Sequence, residues 1–171
     1  MVRGLLAFIV FFLSSGCEAQ SVENRYISHL GNGGITYFFC PKRVGNNVNI
    51  SGFIYDMTYS TQNDSVALNF SFVSDKPQKV RALILQCGDY KCEGCNVSAL
   101  YCDIKGKEYE IRTTSKFAMK DIHTTFSQKE ALCFNLHFEN GGNGAAMYSR
   151  SKWDKDSRKI TRIIDLIEYQ K

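Results

Sequence analysis

Proline is nearly missing from this chain: Pro41 and Pro77 are the only two in 171 residues. That scarcity excludes polyproline ligands and stiff Pro-rich spacers. Strong charge of either sign is missing too. The formal net charge of +4 is scattered, whereas a nucleic-acid surface needs clustered cations interleaved with aromatics. After residue 13 no apolar run approaches the roughly 20 residues that a membrane-crossing helix requires. Catalytic signatures are absent as well. His29, His123 and His137 stand apart from one another, outside any HExxH pattern, and no GxSxG elbow occurs. The glycine-rich "GNGG" (31–34) and "ENGGNGAA" (139–146) lack the Lys-Ser/Thr ending of a phosphate loop and read as hairpin turns. No catalytic residue, metal or cofactor is assigned.

What is present begins with "MVRGLLAFIVFFLSSGCEAQ": Arg3, an apolar run over 5–13, then small and polar residues. This is the outline of a secretory signal peptide, residues 1–19, ahead of one domain over 20–171. Cleavage after Ala19 would leave Gln20 as the new terminus. A second route is open at the same place, because Ser14-Ser15-Gly16-Cys17 resembles a bacterial lipobox with its Leu one position early, at Leu13. Acylation of Cys17 would tie the protein to a membrane by lipid. The expected location is thus periplasmic, extracellular or lipid-anchored. An "AQ"-ending signal before a short β-rich domain is similar in style to small exported proteins of Bacteroidetes, a likeness confined to the first twenty residues.

Both routes leave Cys40, Cys87, Cys92, Cys95, Cys102 and Cys133, an even set that in an exported chain reads first as a disulfide framework. Four of them crowd "CGDYKCEGCNVSALYC" (87–102). The spacing of Cys87, Cys92 and Cys95 resembles the first three ligands of a plant-type ferredoxin, but the fourth cysteine follows too soon. Zinc would be better served by two close pairs than by one pair flanked by single cysteines. "CEGC" resembles the CxxC of thioredoxin-like proteins, yet both prolines precede it, and that fold needs one facing the motif from later in the chain. Staples across an otherwise polar loop remain the preferred reading, and a loop so held is a reasonable place for partner contact.

An apolar content of 44%, with 13% aromatics, supports one packed core. Alternation with period two dominates. Phe53, Tyr55, Met57 and Tyr59 form one buried set, and Val66, Leu68, Phe70 and Phe72 another, joined by the turn "STQND" into a hairpin. Further strands are expected over 35–40, 79–86, 100–104, 109–113 and 131–138. The period then changes: Ile160, Ile163, Ile164 and Ile167 fall at helical spacing, with Asp156 and Ser157 as capping candidates and Trp153 covering the core from a charged lead-in. Asn49, Asn63, Asn69 and Asn96 each begin an N-x-Ser triplet.

The expected fold is an antiparallel β-sandwich, or a small barrel, with one C-terminal amphipathic helix. The expected function is a non-enzymatic domain of the cell envelope or extracellular space that recognises a protein or glycan. Three alternatives stay open: a thiol oxidoreductase using Cys92 and Cys95, a small-molecule carrier with a barrel interior, and an immunity or inhibitor protein.

Overall fold

The computed structural model describes residues 26–31 and 34–170, so the signal segment, Cys17 and the tip of the first glycine turn lie outside the described residues. Eleven strands and two helices follow in the order β1 (Tyr26–Gly31), β2 (Gly34–Arg43), β3 (Asn47–Val48), β4 (Ser51–Ser60), β5 (Ser65–Ser74), β6 (Val80–Cys87), β7 (Tyr90–Glu93), β8 (Cys95–Lys105), β9 (Glu108–Ala118), α1 (Met119–Phe126), β10 (Cys133–Phe138), β11 (Asn143–Met147) and α2 (Arg150–Tyr169). The strands form a six-stranded sheet, β1-β2-β4-β5-β9-β8, and a five-stranded sheet, β3-β11-β10-β6-β7. Every pairing is antiparallel. Both sheets are open, so the fold is a sandwich and the barrel alternative is not realised.

The hairpin read from "STQND" is β4–β5, with Ser60 opposite Ser65. Its two alternating sets, Phe53 to Tyr59 and Val66 to Phe72, all face the core. Opposite them the five-stranded sheet contributes Leu83, Leu85, Phe134, Leu136 and Phe138. Phe134 makes the junction, with its ring centroid 4.9 Å from both Phe53 and Tyr55. Burying such aromatics removes large apolar areas from water and dominates the stability of the core.

The last helix differs from its expected form. It begins at Arg150 with Ser149 at the N-cap, so Asp156 and Ser157 are not caps but buried members of its inner face. The stripe runs Trp153, Asp156, Ser157, Ile160, Ile163, Ile164, Ile167, regular at helical spacing, and two polar members hid its first half. Asp156 pairs with Lys42 of β2 at 3.5 Å, both side chains being largely buried. Trp153 packs on Phe126 and Tyr148 with centroids 5.4 Å away, and its Nε1 donates to the Gln128 carbonyl at 3.1 Å. Helix α1, eight residues over "MKDIHTTF", has no counterpart in the sequence reading. Among the described residues no helix is long and apolar enough to cross a membrane.

Candidate interaction surface

The segment 87–102 is strand, not loop. After β6 the chain turns back as β7, with Cys87 opposite Tyr90 and Leu85 opposite Cys92. It then leaves the five-stranded sheet at Gly94 and enters the six-stranded one as β8, which pairs with β9 alone. Gly94 sits where the two sheets come together. Its N–H donates to the Leu83 carbonyl at 2.9 Å, and a Cβ there would overlap Ser115 Oγ and the Phe117 ring. Only glycine fits the crossing.

Backbone ladders hold the segment in shape. No disulfide joins any two of the six described cysteines, Cys40, Cys87, Cys92, Cys95, Cys102 and Cys133, in this structure. Cys95 lies opposite exposed Lys116 and Cys102 opposite buried Ile111, so these two point to opposite faces of β8 and cannot bond one another. Cys87 and Cys92 converge on Thr125 of α1: Cys87 donates to the Thr125 carbonyl at 3.6 Å, and Cys92 Sγ lies 3.5 Å from Thr125 Oγ1. Cys133 is on the outward face of the five-stranded sheet, and Cys40 is on the other sheet beside α2.

Burial pushes the Cys87 thiol up to about 12, with the neighbouring Cys92, Glu130 and Cys133 adding to it. Burial likewise raises Cys92, partly offset by its bond to Thr125, and raises Cys133. A reactive CxxC needs the reverse: a lowered first thiol at a helix N-terminus. Here Cys92 ends inside β7, Cys95 opens β8, and no helix starts at the motif.

The histidines do not converge. His29 is on β1, His123 Nε2 meets Asp165 Oδ1 at 3.2 Å between α1 and α2, and His137 Nδ1 lies 2.6 Å from Asn143 Oδ1. Glu168 brings a third ligand atom within 4.8 Å of the His123 and Asp165 atoms, and an exposed ion pair between two packed helices accounts for that grouping.

What the structure brings together instead is an uncovered edge. β8 is eleven residues long and, apart from half-buried Val97, exposed throughout. Leu100 is 52% exposed, Tyr101 39% and Ile104 77%, whereas the neighbouring β9 buries Ile111, Thr113, Ser115 and Phe117. Within 95–104 the only charge is Asp103, and no proline occurs. The pairing with β9 is broken by bulges between Cys95 and Ser98 and between Ala99 and Tyr101, then runs unbroken to Lys105. Asn96, in the left-handed region at φ 53°, belongs to the first bulge. Folded proteins ordinarily guard such an edge with charge, proline, bulges or a covering element; the two bulges here interrupt only the half before Tyr101, and the half after it has neither proline nor cover. The signal in the sequence was "VSALYCDI": apolar residues at positions of both parities, which alternation does not detect. Comparison with protein families, with curated proteins and with solved structures finds no match to this chain.

Proposed function

We propose that the chain is an exported, non-enzymatic binding domain of the cell envelope or extracellular space, and that it recognises a protein partner by strand addition along β8. The observation that carries this reading is the eleven-residue terminal strand of the six-stranded sheet, exposed almost throughout, with Leu100, Tyr101 and Ile104 in the open and its two charges, Asp103 and Lys105, confined to one end. An added strand satisfies the outward row of backbone groups, while Leu100 and Ile104 supply side-chain contacts that select an extended partner segment with apolar residues at alternate positions. An inhibitor or immunity protein could act through the same edge.

The test is a photo-crosslinking amino acid placed at Leu100 or Ile104 in the producing cells, with Arg81, on the other sheet, as the control position. A discrete adduct at the β8 positions, lost in the Leu100→Lys/Ile104→Lys variant and absent from Arg81, supports the proposal once mass spectrometry maps the crosslink to an extended segment. Equal adducts at all three positions, or none, overturn it. The intact mass of the native protein tests export separately: a chain beginning at Gln20 or at acylated Cys17 supports it, and a retained Met1 refutes it.

A further inference from the structure

The outward face of the five-stranded sheet carries a second site, independent of β8. Its register arranges side chains in rows that cross the strands. The middle row is Glu93, Ile84, Asn135, Ala145 and Val48, one residue from each of the five strands. On one side of it lies the row Ala82, His137, Asn143, and on the other the row Lys91, Gln86, Cys133, Met147. Ile84, Ala145 and Val48 give the middle row an apolar floor, lower than its rims because Ala145 is small. The result is a groove of about 370 Å³. With strands about 4.8 Å apart, the row spans about 19 Å from end to end, enough for several consecutive sugar rings.

Three amides line the groove and are already oriented: Gln86 on one rim, Asn143 beside His137 on the other, and Asn135 in the middle row between Ile84 and Ala145. Cys133 donates to Asn135 Oδ1 at 3.5 Å, Asn135 Nδ2 donates to Gln86 Oε1 at 3.3 Å, and Gln86 Nε2 donates to the Gly88 carbonyl at 3.2 Å. Along the opposite rim, Asn143 Oδ1 faces His137 Nδ1, and Asn49 Nδ2 donates to the Asn143 carbonyl at 3.0 Å. A carboxamide nitrogen carries two donor hydrogens and its oxygen two lone pairs, so this network fixes each amide while leaving Asn135 Nδ2 and Asn143 Nδ2 capacity for a ligand. The only formal charges in these rows are Lys91 and Glu93, opposite in sign and both on β7 at one end. Amides offer donors and acceptors together, as hydroxyl groups do, and an apolar floor suits the C–H face of a pyranose.

We propose that this groove binds a neutral oligosaccharide, laid across the strands over Ile84 and Ala145, with its hydroxyls bonded to Asn135, Gln86 and Asn143. The ligand class follows from the pairing of an apolar floor with uncharged bifunctional amides. A phosphate or carboxylate ligand would call for cations instead.

The experiment is an NMR titration of isotope-labelled protein with cellohexaose, xylohexaose, mannohexaose and chitohexaose, with hexagalacturonate as the acidic comparison. At least one neutral hexasaccharide is expected to shift the side-chain amide signals of Asn135, Gln86 and Asn143 with a Kd below about 1 mM. Asn135→Ala should weaken it about tenfold. Ala145→Trp, which fills the floor from the solvent side, should abolish binding without lowering the thermal midpoint. No response from those amides to any neutral sugar, a response to hexagalacturonate alone, or binding that survives Ala145→Trp overturns the proposal. The Leu100→Lys/Ile104→Lys variant leaves this face intact, so its sugar binding should equal that of the unsubstituted protein.

Discussion

β5 and β8 are strands of nearly equal length in the same sheet, yet they have opposite fates. β5 lies in the interior of the sheet order and alternates buried Val66, Leu68, Phe70 and Phe72 with partly exposed neighbours. β8 closes the order and buries almost nothing on either face. Both contain apolar residues. The difference is coverage: β5 lies between β4 and β9 with its inner face in the core, whereas β8 has one neighbour and, apart from half-buried Val97, stays exposed. A strand rich in apolar side chains and left uncovered has kept its capacity for burial, which is why this edge is read as a contact surface.

The largest blow to the covered region should come from Trp153→Ala. The side chain is 1% exposed, packs on Phe126 and Tyr148 and bonds the Gln128 carbonyl, so its removal should cost about 3–5 kcal/mol in denaturant unfolding. A loss below about 1 kcal/mol would mean that α2 is not part of the cooperative core.

Next comes the join between the two regions. Gly94→Ala forces a methyl group against Ser115 and Phe117 and should cost about 1–3 kcal/mol, with faster hydrogen exchange in β7 and β8. An unchanged midpoint would place the sheet-to-sheet crossing elsewhere.

Graded with pH rather than fixed, a further effect comes from the buried Cys87 thiol. Cys87 is held near 12 in the fold against an ordinary 9.0. Between those values the native state keeps a proton that the unfolded chain has lost, so its contribution to stability is complete below about pH 9 and falls as pH rises toward 12, by at most about 1.4 kcal/mol per pH unit. Buried Tyr55 and Tyr148, also raised, steepen the decline at its upper end. Cys87→Ala should flatten a plot of stability against pH above 9, and an equally steep plot would assign the slope to the other raised groups, Cys92, Cys133 and the tyrosines. Smallest of all is the effect on folding of Leu100→Lys/Ile104→Lys, expected within about 0.5 kcal/mol because both side chains are mostly exposed.

Legibility followed the same division. Where one face of a strand is buried, the sequence shows it, as in β4, β5 and "LCFNLHF" of β10, whose inward residues were all read correctly. In the cysteine-rich segment the strand over 100–104 was legible, whereas 90–99 resembles a loop in composition and is mostly strand. It holds its shape through backbone hydrogen bonds, which leave no mark on side-chain pattern. The groove was half visible: alternation within the expected strand 131–138 turns Asn135 and His137 to one face, but Gln86 and Asn143 join them only by pairing across β6, β10 and β11.

By itself the sequence determined an antiparallel sandwich, its principal hairpin, the aromatic core and the inner isoleucines of a terminal helix, because period two and period 3.6 are local consequences of burying one side of an element. The tertiary structure alone decided which strand became the uncovered margin, where the chain crosses between sheets, and which amides share a groove. Those outcomes depend on strand order and register, and these are set by contacts between residues far apart in the chain.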